Sequence, residues 1–324
     1  VWYTFMSSIT MSRKIQADVN DMMPKLWQVR GWTRDRAPCN FPCSLMRSDI
    51  AKLKQSTYSV GPKADGERYF MLFSFVDMDG DVEDDYIALV DRTGRVRYVN
   101  GVSAGSEMYS GTLLDGELVT DEASGVMTYL VFDIIAREGV PMASEPHSSR
   151  VANLTSVIKS LNVSNPKLQI RPKPWFTYGD VTYTEVIDSI APIKCDGLVF
   201  VPEFGRALRV GRQVDHYKWK WCTDNTIDFV FDKNEFWTES RGVRVPVSEL
   251  GIRGEPYTGD DGVVECMVKD GVATVVRRRP DKTAPNDMEI ALLTLKNIEE
   301  KITLEELMDE GPPSKRIKTK HNLE

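Results

Sequence analysis

Apolar and polar positions alternate with a two-residue period through the first half of the chain. Tyr58 and Val60, followed by Tyr69, Met71 and Phe73, predict two strands joined near a tight Gly66 turn, with Lys63 at a strand end. Tyr86 to Val90 and Arg95 to Val99, separated by Asp91-Arg92-Thr93-Gly94, predict a hairpin. Leu113 to Val119 and Thr128 to Ile135 supply two more strands of one antiparallel sheet. The period then changes: Val151, Leu154, Ile158 and Leu161 recur at helical spacing behind Ser148, which predicts a serine-capped helix over 148–161. A second helix is expected from Tyr183 to Ala191. Asp196-Gly197 then turns into a strand from Leu198 to Val201. Tyr217-Lys218-Trp219-Lys220-Trp221, read as a strand, sets both lysines on one face and both tryptophans on the other.

The two ends of the chain carry different patterns. The first 56 residues predict a short helix near Ile15 to Val29, a Pro-interrupted extended segment from Cys39 to Leu45, and a helix starting at Ser48-Asp49-Ile50. From Asn225 the texture is of short strands with glycine-rich connections, Thr226 to Phe231, Gly262 to Val268 and Val272 to Arg278, which suggests a small β-barrel. Asn286, with Glu289 three residues on, is expected to cap a helix with Met288, Leu292, Leu295 and Ile298 on one face, and Thr303 with Glu306 to box a shorter one. The basic tail beyond Gly311 reads as disordered, serving as a nuclear-import signal or simply a soluble end.

Composition narrows the function classes. At 324 residues, with 41% hydrophobic and 9% aromatic content, the chain is expected to form two globular domains with a sizeable core. No apolar run is long enough to span a bilayer, and no signal peptide is visible, so no membrane partner and an intracellular location are expected. Five scattered cysteines without a Cys-x-x-Cys pair, and only three histidines, argue for free thiols over structural zinc. A net charge of -7 excludes nonspecific coating of nucleic acid but not a local basic channel. The charge is uneven: Asp77, Asp79, Asp81, Glu83, Asp84 and Asp85 crowd one loop, while Arg206, Arg209, Arg212, Lys218 and Lys220 crowd another segment.

Polar clusters fall at the ends of the predicted strands: Lys63 with Arg68 in Lys-x-Asp-Gly-x-Arg, Asp115 with Glu117, Phe132 with Asp133, Asp196, then Lys218 with Lys220. A later run, Arg277-Arg278-Arg279-Pro280-Asp281-Lys282, belongs to the barrel. Singly, each has an ordinary reading as a solvated turn, a core aromatic or an amphipathic edge strand. Together, one nucleophile, several carboxylates and several cations are what nucleotidyl transfer requires. Cations neutralise phosphate oxygens, carboxylates hold a divalent metal and ribose hydroxyls, and an amine can attack phosphorus. An ordinary lysine, with a pKa near ~10.4, is almost wholly protonated at neutral pH, and neighbouring cations favour its neutral, nucleophilic form.

In the order and spacing of these six motifs, nearly the whole chain resembles the covalent nucleotidyltransferase superfamily, and within it the mRNA capping enzyme guanylyltransferases, particularly the compact kind of large DNA viruses. The resemblance implies an α+β fold: a nucleotidyltransferase domain (ATP-grasp-like, ligase-type, built on antiparallel sheet) over 1–224 and an OB-fold barrel over 225–302. A C-terminal helix over 303–311 is expected to pack back on the first domain, followed by the basic tail, 312–324. By position, Lys63 is implied as the residue that bonds GMP, with Arg68 and Glu117 on the ribose, Arg92 on a phosphate, and Phe132 and Val199 sandwiching guanine. Lys173, in Arg-Pro-Lys-Pro-Trp, is implied on the guanine oxygen, Asp196 with Glu117 on Mg2+ or Mn2+, and Lys218 and Lys220 beside the α-phosphate. Asp228, Arg277, Arg279, Asp281 and Lys282 are implied to meet pyrophosphate as the barrel closes. The chain departs from the family's pattern at Cys39 and Cys43, where glycine and valine are usual, at Trp221, where proline often stands, and at Pro280.

The implied reaction is transfer of GMP from GTP through lysyl-GMP to the 5′-diphosphate end of RNA. Its expected partners are an RNA triphosphatase, a cap methyltransferase or RNA polymerase, and its expected setting a nucleus, viral factory or virion. The alternatives are an ATP-dependent DNA or RNA ligase with the same lysine and barrel, and a noncatalytic RNA-end-binding module, which would not require Lys63.

Overall fold

A computed structural model describes residues 13–30, 32, 37–77, 83–121, 123–280 and 282–308. Asp281, most of the acidic 77–85 loop and the basic tail lie outside the described residues. The chain divides into two compact units: residues 1–43 with 55–218, and 44–54 with 219–324. The fold is α+β.

The first unit is organised around the Glu67–Asp77 strand, whose sequence buries both faces. Tyr69, Met71 and Phe73 enter one core, joined by Leu154 and Val157 from the His147–Ser160 helix. Phe70 and Leu72 enter a second core with Val19, Met23 and Leu26 from the Arg13–Leu26 helix. Each such large side chain removed from water contributes about 1.5–3 kcal/mol, so this strand can stand at the centre of a layered unit. It pairs antiparallel with Glu83–Asp91 on one side and Thr112–Thr120 on the other, and Met127–Arg137 and Leu168–Pro172 extend the seven-stranded sheet. A five-stranded sheet of the same unit runs in the order Asn40–Ser44, Gly211–Trp219, Cys195–Pro202, Tyr58–Ala64, Phe176–Thr177. The expected strands from Tyr58 to Ile135 are all present.

The second unit holds a curled six-stranded sheet of the OB type, with the order Val243–Pro246, Glu235–Ser240, Thr226–Asp232, Gly262–Lys269, Val272–Arg278, Arg253–Gly254. Phe229, Val264, Cys266 and Ala273 fill its core.

Four local expectations need correction. The helix after Pro146 has no side-chain cap, because the Ser148 hydroxyl binds the Glu203 carboxylate instead. Asp287, not Asn286, caps the Met288–Glu300 helix, since the Asn286 amide oxygen accepts the Asp228 N–H. On that helix Leu295 and Ile298 pack on the core but Leu292 is exposed. The Lys-Trp alternation ends early: the strand stops at Trp219, and Trp221 is 39% exposed with its ring edge against Trp219.

Candidate active site

Lys63 ends the Tyr58–Ala64 strand one residue before the Asp65-Gly66 turn, and its Nζ donates to Asp196 Oδ1 at 2.7 Å. The turn is held by the Asp65 N–H on the Lys194 carbonyl. Gly66 is required by close approach, because a Cβ there would lie 2.7 Å from the Leu118 carbonyl and 2.9 Å from Glu117 Cγ. Asp196 sits on the neighbouring strand at a register shift between Cys195 and Leu198, where Gly197 has a φ of +152°. The irregularity re-aims the strand end that carries the carboxylate.

Arg68 and Glu117 are cross-strand partners in the register of the large sheet. The Arg68 guanidinium forks onto the fully buried Asp115 carboxylate and donates also to the Asn40 carbonyl and side-chain oxygen. Burial by itself would weaken its charge, but Asp115 outweighs burial and holds Arg68 above the ordinary guanidinium range. The phenyl rings of Phe70 and Phe132 each lie 5.4 Å from the guanidinium carbon.

Phe132 faces the site because of a bulge. Asp115 pairs with Asp133 and Gly116 with Val131, which leaves Phe132 as the extra residue between them. It is half-buried in a strand whose neighbours are buried, as is Val199 between Leu198 and Phe200. Lys173 is only 6% exposed, and its Nζ stands 5.3 Å from the Phe132 ring centre and 4.3 Å from that of Trp175. The Trp175 indole donates to the Phe132 carbonyl, and the Lys173 N–H to that of Val131.

Lys63, Lys173, Glu117 and Asp196 share one electrostatic environment. Burial pushes Lys173 down to about 8, with Glu117 pulling it back up and Lys63 pressing it lower. Burial pushes Glu117 up, opposed by Lys63, Lys173 and Arg68, while Asp196 raises it further. Two carboxylates close enough to repel each other, with oxygen donors only, suit a hard divalent cation that takes its other ligands from phosphates and water. Among the described residues no three His, Cys, Asp or Glu side chains form a metal cage. Glu117 and Asp196 therefore fit magnesium or manganese held jointly with a nucleotide, and not a resident structural metal.

The other expected site residues lie on several elements. Arg92 is exposed on the Asp91–Arg95 turn and makes no described contact with the Lys63 group. Lys218 is half-buried on the Gly211–Trp219 strand, and Lys220 follows that strand. Asp133, paired in the sequence with Phe132, is instead buried against Arg150 at 2.7 Å, a structural ion pair. In the second unit, Asp228 gathers Arg279 at 3.2 Å and also Lys282, while Arg277 pairs with Glu265 at 2.6 Å.

Several contributors were not singled out for a role by sequence: Asp115 and Asn40 behind Arg68, and Trp175 beside Lys173. Asp115 and Trp175 adjoin recognised residues in Asp-Gly-Glu and Arg-Pro-Lys-Pro-Trp. Asn40 carries no signal until its strand is placed.

Comparison with known proteins adds an independent line. A family model described as mRNA capping enzyme, catalytic domain, matches residues 6–222. The chain is similar to an mRNA-capping enzyme of Danio rerio, 26% identical over 91% of this chain and 52% of that protein. It is also similar to the mRNA-capping enzyme subunit alpha of Saccharomyces cerevisiae, 29% identical over 59% of this chain and 47% of that protein. The chain spans about half the length of these curated relatives. Among solved structures, a mycobacterial DNA ligase D complexed with ATP and MES aligns with a TM-score of 0.43 at 15% identity, covering 78% of this chain and 97% of that one.

Proposed function

The chain belongs to the family of the mRNA capping enzyme catalytic domain, and from that premise we propose that it is a GTP:RNA guanylyltransferase working through a lysyl-GMP intermediate. The observation that carries the reading is the contact between Lys63 Nζ and Asp196 Oδ1, in a group whose charges also include Glu117 and Lys173. Both side chains are half-buried, where desolvation offsets much of an ion pair's attraction, so the contact is a weak stabiliser by itself.

In the first step the Lys63 ammonium gives up a proton to solvent and the free amine attacks the α-phosphorus of GTP. The N–P bond forms as the bond to the bridging oxygen breaks, and pyrophosphate leaves. In the second, a terminal phosphate oxygen of a 5′-diphosphate RNA attacks the same phosphorus. The N–P bond breaks, and Lys63 recovers a proton. Magnesium or manganese held by Asp196 and Glu117 would supply charge neutralisation at the phosphates.

Glu117 accepts from the ribose hydroxyls, and Asp115 holds Arg68 in place to donate beside it. The base lies between Phe132 and Val199. Lys173, whose Nζ stands 5.3 Å from the Phe132 ring centre, donates to the carbonyl oxygen that distinguishes guanine from adenine. Lys218 lies on the strand beside the one that carries Asp196, from which it reaches the α-phosphate.

Incubation with labelled GTP or ATP and a divalent metal, followed by denaturation, tests the scheme. Covalent GMP is expected, absent in Lys63→Ala and not restored in Lys63→Arg, whose guanidinium is no nucleophile. Label from ATP alone would replace this reading with a ligase.

A further inference from the structure

The Arg206–Arg212 segment is a strong basic feature that the proposed nucleotide site does not use. It joins the far ends of the two strands whose near ends carry Asp196 and Lys218. At about 3.3 Å per residue, the run from Asp196 to Pro202 takes the chain about 20 Å from Lys63, too far for the phosphates of a nucleotide bound there. Yet Arg206, Arg209 and Arg212 are all exposed, and none forms a carboxylate ion pair among the described residues. The nearby acids are engaged elsewhere: Glu203 accepts from Ser148, and Asp215 accepts from the Arg206 N–H and faces His216.

Beside these cations Phe204 is 81% exposed, an aromatic face with no packing duty. It lines a cavity of about 120 Å³ with Arg150, Pro202, Arg206 and His216. Arg150 is committed to Asp133, but His216 Nε2 is buried and has no hydrogen-bond partner. The Asp215 carboxylate beside Nδ1 makes that nitrogen the donor, leaving Nε2 a buried acceptor. Exposed cations for a backbone beside an exposed aromatic platform are the parts of a single-stranded nucleic-acid site. They occur on a chain whose net charge of -7 gives phosphate no other general attraction.

We propose that the segment from Phe204 to Arg212 is a track for the acceptor RNA, holding nucleotides downstream of the 5′ end being capped. This rests on the guanylyl-transfer reading for the direction of the strand, but binding can be measured without transfer.

The full chain is titrated with a 3′-fluorescent 5′-diphosphate RNA of about 12 nucleotides, followed by anisotropy at several salt concentrations. Arg206→Glu/Arg209→Glu/Arg212→Glu is expected to weaken binding at least about tenfold and to lower the slope of log affinity against log salt by about 2. Phe204→Ala should lose about tenfold, and Phe204→Trp should retain wild-type affinity. GMP labelling of both variants should match wild type, which also shows that they fold. Unchanged RNA affinity and salt slope in the charge variant would overturn the proposal. Loss of an acidic phosphopeptide's binding with RNA binding intact would overturn it too, making the surface a protein-docking site. A wild-type chain that binds RNA through these residues but takes no GMP label would sink the transferase reading and leave the RNA track standing.

Discussion

Lys173 is the residue at which burial and function pull against each other. Desolvation favours the neutral amine and brings its pKa down to about 8, with Glu117 opposing and Lys63 assisting. On the proposed reading, as pH rises through 8 the ammonium is lost, and with it the charge-assisted hydrogen bond to the guanine oxygen. A neutral amine can also accept from the adenine amino group. The preference for GTP over ATP in covalent labelling is therefore expected to fall from pH 7 to pH 9, and Lys173→Met should show low preference at every pH. His147 gives a second pH dependence, in stability. It is almost wholly buried, bonded to Ser59 and edge-on to Trp175, and burial pushes it down to about 4. The unfolded chain protonates this histidine near 6.5 while the folded one waits until about 4. Between those values the unfolded state binds more protons, so stability is full above the window and falls as pH drops through it, by about 3 kcal/mol. Urea midpoints should show that decline, and His147→Gln should flatten it; His216, lowered by burial in the same direction, leaves a remainder. Residues whose charge is misplaced for packing, such as Lys63, Glu117 and Asp196, were legible in the sequence. Asp115 was not assigned its part, because its hold on Arg68 exists only once register sets the two strands side by side.

At the scale of elements, apolar patterning was enough to place the strands of the first unit from Tyr58 to Ile135, but it left the short Leu168–Pro172 and Phe176–Thr177 strands unmarked. Irregularities were illegible, since a bulge leaves no periodic trace: Phe132 faces Arg68 as the one extra residue opposite the Asp115–Gly116 step. Helix ends were partly legible. Thr303 and Glu306 exchange their expected hydrogen bonds, and Thr182 with Glu185 forms a second box that the pattern had not marked. The expected Ser148 and Asn286 caps failed because each side chain had a better partner distant in sequence. The bulge also explains the glycine of Asp115-Gly116-Glu117. A Cβ on Gly116 would lie 2.6 Å from the ring of Tyr129, which is fully buried with its hydroxyl on the Tyr69 carbonyl and has nowhere to retreat. Gly116→Ala is expected to cost about 1–3 kcal/mol by overpacking. Displacement of Phe132 should also raise the KM for GTP. A thermal melt and labelling kinetics on the same sample check both, and an unchanged melting temperature would remove the close-contact argument.

For the whole molecule, two units with separate cores mean that a defect can be confined to one of them. The sequence texture changes at Asn225 and the units divide between Lys218 and Trp219, while the grouping of residues 44–54 with the second unit left no trace in the sequence, because it depends on contacts distant in sequence, such as the Asn297 side chain donating to the Leu45 carbonyl. Asp228 shows how the second unit organises its cations. Its backbone N–H donates to Asn286, its carbonyl accepts from Asn286, and its buried carboxylate gathers Arg279 and Lys282. The carboxylate holds the two cations at the strand end, and the Lys282 N–H donates to the Arg279 carbonyl. Removing it leaves two partly buried charges without their counter-ion. Discounted for their exposure, this costs about 1–3 kcal/mol. Because local stability is not uniform, the loss should appear where the bonds are. In Asp228→Ala, hydrogen exchange is expected to quicken in the Thr226–Asp232 and Gly262–Lys269 strands and at the start of the Met288–Glu300 helix, while the Glu67–Asp77 strand keeps its protection. Asp228→Asn, which can still accept one hydrogen bond, should fall between the two. Equal quickening in both units would mean that the carboxylate supports the whole fold and not the cation cluster alone.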